Sequence, residues 1–179
     1  MMPKIADIEA TPNPNAMKFM LKDRLAWGAA RSYASADEAA EDELASKLFG
    51  IPHVSNVFYM DNWITVTQDG RADWNDLVRV VAQPIREAPA AVMPERSEAP
   101  VMDDSDPRLA AIRKVIDERI RPTLVMDGGD LQLLGLEQDI LAIRYYGTCG
   151  TCPSSQAGTL MAIENLVKSI EPEIEVMAV

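Results

Sequence analysis

The sequence predicts an α+β protein made of two small α/β-sandwich domains. Strand-like alternation and helix-like periodicity follow one another in both halves of the 179-residue chain. Between the halves, residues 89–105 are rich in Pro, Ala and acidic residues and show neither period, which predicts a flexible linker. The predicted domains therefore cover residues 1–88 and 106–179.

Four strands are predicted in the first domain, at residues 4–10, 17–21, 54–60 and 63–67. The first two are separated by residues 11–16, where two prolines at alternate positions forbid both a helix and a β-ladder. A turn is therefore expected there.

Two helices are predicted in the same domain. Ser35 and Glu38 have capping-box spacing, which predicts a helix that starts there and runs to about Phe49. Asp73 is expected to cap the second helix. Pro84 falls near the end of that helix and is expected to kink or stop it.

The second domain has the predicted order helix, strand, strand, helix, strand. Asp106 followed by Pro107 is typical of a helix start, and Pro122 is expected to end the first helical run. The other predicted elements are strands at residues 131–136 and 140–146, a helix at 154–170 and a strand at 174–178.

The charge of the chain argues against several kinds of partner. With 17 Lys+Arg and 28 Asp+Glu, the formal net charge is -11. Such a chain repels phosphate backbones and anionic lipid, so neither nucleic acid nor a membrane is an expected partner. No apolar stretch approaches the roughly 20 residues that span a bilayer, and the first residues contain no leader pattern. We expect a soluble, cytoplasmic protein.

The two cysteines, Cys149 and Cys152, are only three residues apart. A crosslink over so short a loop contributes little stability, so the pair is interpreted as chemical. Pro153 is expected to open a helix, whose N-terminal N–H groups and dipole favour anions. Thiolates are therefore favoured here, and a thiolate is both a metal ligand and a nucleophile.

The number of available ligands leaves two forms of metal site open. Tetrahedral zinc sites and iron–sulfur clusters take four ligands, but one chain supplies two sulfurs. Small molecules or water complete an incomplete site, or two chains meet symmetrically and supply four sulfurs. The single histidine, His53, belongs to the other domain and is interpreted as an ordinary loop or strand-edge residue.

Cys-x-x-Cys alone also serves dithiol–disulfide oxidoreductases. The second domain is too short for a thioredoxin-type sheet, and the motif comes late in the element order, so this stays the alternative hypothesis. A zinc-bridged structural dimer is a weaker third hypothesis. Asp127-Gly128-Gly129-Asp130 is interpreted as a glycine turn with solvated acids, although a supporting role near the cysteines is also considered.

Several motifs in order resemble the NifU/Nfu family of iron–sulfur cluster scaffolds and carriers. In the second domain these are Ile120-Arg121-Pro122, Asp127-Gly128-Gly129-Asp130 and Gly147-Thr148-Cys149-Gly150-Thr151-Cys152-Pro153-Ser154-Ser155. The first domain resembles the N-terminal Nfu domain through residues 11–19, 47–52, 57–59 and 64–66.

The resemblance implies that Cys149 and Cys152 bind a [4Fe–4S] cluster that bridges two subunits of a transient homodimer. It also implies that the cluster is transferred to apo-proteins and that the chain is not an enzyme. The first domain, which has no Cys, would recognise client proteins or upstream scaffolds. Zinc is expected as a possible substitute, because it suits the same thiolates.

Overall fold

A computed structural model describes four stretches of the chain, residues 4–26, 30–89, 106–147 and 153–179. In the last stretch, side chains are described from residue 158 onward. The chain divides into two compact units, Met1–Ala99 and Pro100–Val179, and each combines one β-sheet with helices. The predicted α+β class with two domains is therefore confirmed. The linker borders and flexibility stay predictions, because residues 90–105 lie outside the described stretches.

The first unit contains an antiparallel sheet of five strands. These are β1 (Ile5–Ala10), β2 (Ala16–Leu21), β3 (Arg31–Tyr33), β4 (Val54–Met60) and β5 (Trp63–Gln68). Their spatial order is β1-β2-β5-β4-β3. The expected turn between β1 and β2 forms, with the Ala16 amide donating to the Asn13 carbonyl at 2.9 Å. The short edge strand β3 was not predicted, since three residues are too few to show a period.

Helices α1 (Glu43–Phe49) and α2 (Trp74–Glu87) cover one face of this sheet. Because side chains alternate across a strand, one face of each strand supplies the core. The largest fully buried side chains of this core are Phe19, Leu48, Ile64 and Ile85. Each contributes about 1.5–3 kcal/mol when it is removed from water.

Two helix predictions in this unit need correction. The Glu38 amide donates to Ser35 Oγ at 3.3 Å, so the expected capping bond forms, but it closes a turn. The helix begins later, where Asp42 caps it by accepting from the Ala45 amide at 2.9 Å. Pro84 lies inside α2, which continues to Glu87 and closes with a bond from the Ala88 amide to the Pro84 carbonyl.

The described residues of the second unit form three helices and a three-stranded sheet. The elements are α3 (Pro107–Arg119), α4 (Arg121–Met126), β6 (Gly129–Glu137), β7 (Ile140–Gly147), α5 (Pro153–Lys168) and β8 (Glu175–Ala178). Strand β7 lies in the middle, antiparallel to β6 and parallel to β8. The helices pack on one sheet face around Ile112, Ile116, Leu141, Ile143 and Ile163.

Helix α4 lies between α3 and β6 and was not predicted from the sequence. Pro122 was expected to end the first helix, but it occupies the first turn of a new one, where its missing N–H has no helical partner to lose. Ile120 is both the C-cap of α3 and the N-cap of α4. Of the helices in the described stretches, none combines the length and apolar character that crossing a bilayer requires.

Candidate metal centre

Cys149 and Cys152 belong to the segment 148–152, which falls outside the described residues. The structure defines both ends of this segment, because β7 ends at Gly147 and α5 begins at Pro153. The motif therefore connects the end of a strand to the start of a helix, as its sequence indicates. The assignment of the two cysteines as ligands stays a prediction.

Gly147 forms the point at which the chain leaves the sheet. It is buried and lies opposite Gly129 in the β6–β7 ladder. Its φ of 68° is in the left-handed region, which favours a residue without a Cβ. Gly128, at the other strand end, has a φ of 80° for the same reason. The pairing of Gly129 with Gly147 brings the two strand ends together at the base of the Cys segment.

A partly buried ion pair lies beside this base. Asp130 is 4 % exposed and stands opposite Tyr146, the residue before Gly147. The Arg121 guanidinium donates from Nη1 to the Asp130 carboxylate and to the Leu131 carbonyl, the latter at 3.2 Å. Its Nε donates to Asp117 at 2.8 Å. One arginine therefore connects α3, α4 and β6 next to the strand end that carries the Cys segment.

The environment of Asp130 corrects one interpretation. Gly128 does take the expected turn conformation, but Asp130 is buried instead of solvated. Burial, the largest influence, raises the pKa of Asp130 above its usual value, and the opposing effects of Arg121 and the Leu131 amide do not offset it. Arg121 and Asp130 both belong to motifs noted in the sequence, but their contact was not predicted. The contact depends on helix α4, which the sequence did not predict.

The start of α5 sets the electrostatics at the other end of the segment. Helix α5 has 16 residues, and its first N–H groups lack intrahelical partners. Together with the helix dipole they favour negative charge at the N-terminus. Cys152 immediately precedes Pro153 in the sequence, and thiolates next to a helix N-terminus are in general favoured over thiols. Such a pair can bind a soft metal ion or act as a nucleophile.

Among the described residues, no group of three or more His, Cys, Asp and Glu is arranged to hold a metal ion. His53 lies in the first unit with a φ of 74°, and its Nδ1 is 3.2 Å from a carboxylate oxygen of Asp69. Its described contact is therefore a surface ion pair or hydrogen bond. The candidate site, the Cys segment, is identified from the sequence motif.

Each of the two units matches a model of a known protein family. The N-terminal model of the scaffold protein Nfu/NifU matches residues 5–91, and the NifU-like domain model matches residues 112–177. The chain belongs to the Nfu/NifU family. The two matched domains follow in the order that the motifs indicate.

Curated relatives of this Nfu/NifU-family chain include two Drosophila proteins, each named as a mitochondrial NFU1 iron-sulfur cluster scaffold homolog. The one from Drosophila sechellia is 30 % identical over 92 % of this chain and 61 % of its own length. The one from Drosophila virilis is 31 % identical over 92 % of this chain and 58 % of its own length. The chain therefore spans about three fifths of the length of these relatives.

A solved NifU-like protein from Saccharomyces cerevisiae is 20 % identical, with 48 % of this chain and 77 % of that chain covered and a TM-score of 0.40. At that score the likeness adds nothing to the family match, which rests on the sequence models. The two candidate ligands, Cys149 and Cys152, are assigned from the motif in this sequence.

Proposed function

We propose that this chain is an iron–sulfur cluster carrier in cluster assembly, without catalytic activity of its own. In this proposal Cys149 and Cys152 bind a [4Fe–4S] cluster at a homodimer interface and pass it to apo-proteins. The observation that carries the proposal is the position of a lone Cys-x-x-Cys between the Gly147 strand end and the α5 N-terminus, in a chain of this family. The names of the relatives as cluster scaffolds support the same cargo.

The dimer follows from the number of thiolates. A [4Fe–4S] cluster takes four Cys ligands, and this chain contains two Cys in all. A two-fold axis places the same patch of two chains face to face, so two copies supply four sulfurs. The anion-favouring end of α5 stabilises the thiolates on each side before the cluster arrives.

Transfer is a ligand exchange in this proposal. Each iron–sulfur bond to Cys149 or Cys152 breaks as a thiolate of the acceptor forms a bond to the same iron. The cluster keeps its electrons, and the released thiolates take up protons from water. A cluster shared between two protomers is accessible to acceptor thiolates, because separation of the protomers exposes it. The first domain contributes recognition of acceptors or of an upstream scaffold.

Anaerobic reconstitution with ferrous iron and sulfide tests this function. We expect a brown species with one cluster for about two chains, measured as iron, sulfide and mass under argon. Cys149→Ser and Cys152→Ser should each lose it, since each leaves two sulfurs per dimer. Thr148→Ser, in the same segment, keeps both sulfurs and should reconstitute like the parent chain.

The outcome also separates the other hypotheses. A colourless monomer that turns over in a disulfide-reduction assay, with a reversible Cys149–Cys152 bond, would identify a dithiol oxidoreductase. Zinc that stays bound through purification and blocks cluster uptake would identify a structural zinc dimer. The cytoplasmic localisation stays a prediction, and the relatives are named mitochondrial; fluorescence microscopy of the tagged chain in its own cell tests it.

A further inference from the structure

The face of the β6-β7-β8 sheet that points away from the helices carries a groove lined by both apolar and polar side chains. Side chains alternate across β7, so Leu141 and Ile143 enter the core while Ile140 and Ala142 point to the opposite face. The groove has a volume of about 410 Å³ and is lined by Leu134, Gly135, Glu137, Gln138, Ile140, Ala142 and Met177. This volume is at the lower end of the range for binding pockets.

A bulge and a glycine form the groove. The β6–β7 register shifts between Leu133 and Gly135, and Gly135 then stands opposite Ala142. A Cβ at Gly135 would meet nothing within 4 Å, so the floor of the groove is open space. On the far side of Ala142, Met177 of β8 forms the opposite wall. The small side chain of Ala142, which pairs with Gly135 on one side and Met177 on the other, leaves the space between the walls unfilled.

The groove is open and its apolar walls are in contact with solvent. Ile140 is 42 % exposed and Met177 is 49 % exposed. Val179, just beyond β8, is 59 % exposed. These three side chains are among the exposed large apolar side chains of the described residues, and they lie at one face of the sheet. A cluster of this kind is typical of an interaction surface.

Acidic side chains surround the hairpin end of the groove. Glu137 and Glu175 each stand beside Ile140 in the ladder, on the strands that flank it. The Glu175 amide donates to the Asp139 carbonyl at 2.8 Å, which brings the strand β8 acid next to the hairpin turn. Among the described residues, Arg108 is the cation nearest the hairpin turn and already pairs with Asp106 and Asp139. Arg144 lies on the same sheet face, two residues beyond Ala142 and towards the Cys segment. In the described stretches neither Glu137 nor Glu175, which we call the acidic rim, forms an ion pair with either arginine.

We propose that this groove docks an extended segment of an acceptor protein that combines apolar side chains with Lys or Arg. The apolar side chains fill the groove, and the basic residues lie over the acidic rim. The identification of the partner as an acceptor rests on the proposed carrier function, whereas the docking itself needs no cluster. The charge of the rim also decides against anionic lipid, and a two-fold contact whose axis runs through the rim would place one acidic rim against another. A second copy in any other arrangement is an outcome that the sedimentation experiment below detects.

The distance from the Cys segment makes the two sites compatible. Ala142 and Gly147 are five residues apart on β7, which corresponds to about 17 Å along the strand. A segment docked at the hairpin end therefore leaves the cluster end of the sheet free. The docking surface raises the local concentration of acceptor thiolates near the cluster without contacting it.

Fluorescence anisotropy with the full chain and labelled nine-residue peptides tests the docking. The basic-apolar peptide has a central Leu-Val-Met and three Lys at one end; two controls replace the Lys by Glu, or the centre by Ser-Ser-Ser. We expect the basic-apolar peptide to bind at low ionic strength about tenfold tighter than either control, and to weaken as salt is added. The Cys149→Ser/Cys152→Ser chain should bind it equally, so failure of docking and failure of the carrier function are distinguishable.

Two double variants locate the surface. Glu137→Lys/Glu175→Lys should weaken the basic-apolar peptide about tenfold and strengthen the peptide that carries Glu. Glu118→Lys/Glu41→Lys, at two other exposed acids, makes the same net change and should leave the preference unchanged. Ile140→Ser/Met177→Ser should lose apolar binding, while Val80→Ser/Met161→Ser, at two other exposed apolar residues, should keep it.

Equal binding of all three peptides, or a preference that the reversed rim leaves unchanged, would overturn the proposal. So would a sedimentation experiment in which Ile140→Ser/Met177→Ser dissociates the metal-free chain from a dimer, because the face would then be an interface between copies. Far-UV circular dichroism of each variant shows that the fold is retained.

Discussion

Asp42 in the first domain and Asp130 in the second are both buried carboxylates that an arginine contacts, yet their pKa values move in opposite directions. Asp42 is 8 % exposed and Asp130 is 4 % exposed. Burial by itself raises the pKa of a carboxyl group, because water no longer solvates the ion. The difference between the two residues therefore comes from the hydrogen-bond donors that replace the water.

Four donors surround Asp42. The Ala45 amide donates at 2.9 Å, Tyr33 at 2.9 Å and Arg31 at 3.0 Å, and the Tyr59 hydroxyl donates to the same oxygen as Tyr33. Burial opposes ionisation here too, but these donors outweigh it and lower the pKa of Asp42. Among the described residues, the donors to Asp130 are Arg121 and the Leu131 amide, and burial prevails. The comparison shows that a full set of donors lowers the pKa of a buried carboxyl group, whereas one arginine and one amide leave the pKa raised.

Removal of the Asp42 carboxylate should give the largest effect. Asp42→Ala removes the cap of α1 and the shared acceptor of Arg31 and two tyrosines. One of these tyrosines, Tyr59, is buried. We expect the free energy of unfolding of the first domain to fall by about 3–4 kcal/mol. Urea unfolding followed by Trp fluorescence measures this, since all three Trp residues lie in the first half of the sequence.

Asp73→Ala is the matched control in the same domain. Asp73 also caps a helix, accepting from the Asn75 amide at 2.8 Å, but it has no tyrosine or arginine partner recorded among the described residues. Its loss should be about 1 kcal/mol. Equal losses for the two variants would show that Asp42 acts only as a cap.

The same two aspartates show what the sequence could predict. Asp73 and Asp106 were predicted as caps and are confirmed, because a cap and its helix are neighbours in the sequence. Asp42 was missed, because Tyr59 reaches it from another strand and the nearer Ser35–Glu38 pattern has the same local spacing as a helix start. Tertiary contacts, not local spacing, place the start of α1.

The candidate metal centre also has one part that the sequence predicts and one part that it does not. The cysteine pair, the strand before it and the helix after it could be predicted, since the motif and its flanking periods are contiguous. The contact between Arg121 and Asp130 could not, since it depends on where the short helix α4 begins. Six residues are too few for a helical period to emerge from the sequence.

The second-largest effect is expected from Arg121. Arg121→Met keeps an apolar stem but leaves the buried Asp130 without its cation, so the second domain should lose about 2–3 kcal/mol. Hydrogen-exchange mass spectrometry of β6 and β7 measures this loss, because these strands form the centre of the domain.

Arg121→Met/Asp130→Asn separates the unpaired charge from lost packing. The amide carries no charge, so the double variant should recover at least about 1 kcal/mol relative to Arg121→Met. A double variant no more stable than the single one would mean that burial of an unpaired Asp130 is not the cause.

A fall in pH should change the contributions of Asp42 and Asp130 to the free energy of unfolding in opposite directions. The folded pKa of Asp42 is below the ordinary 3.8, so its contribution is present above that value and is lost as the pH falls towards the folded pKa. The folded pKa of Asp130 is above 3.8, so ionisation opposes folding, and its contribution grows as the pH falls from that raised value towards 3.8. Unfolding of the parent chain, Asp42→Asn and Asp130→Asn at a series of pH values gives each contribution by difference; two differences of the same sign would contradict the comparison.

The smallest effects are expected from the individual donors to Asp42. Tyr59→Phe removes one hydroxyl from a side chain that is 3 % exposed, and we expect a loss of about 1.5 kcal/mol in the Trp-detected unfolding. Tyr33→Phe removes a donor from a half-buried ring whose hydroxyl competes more readily with water, and its loss should be about 0.5 kcal/mol. If the two hydroxyls support the same ionised carboxylate, each variant should also raise the pKa of Asp42, which carbon-detected NMR of the carboxyl group follows directly. Loss of stability without that rise would assign the tyrosines to packing in the core and would leave Arg31 and the Ala45 amide as the groups that keep Asp42 ionised.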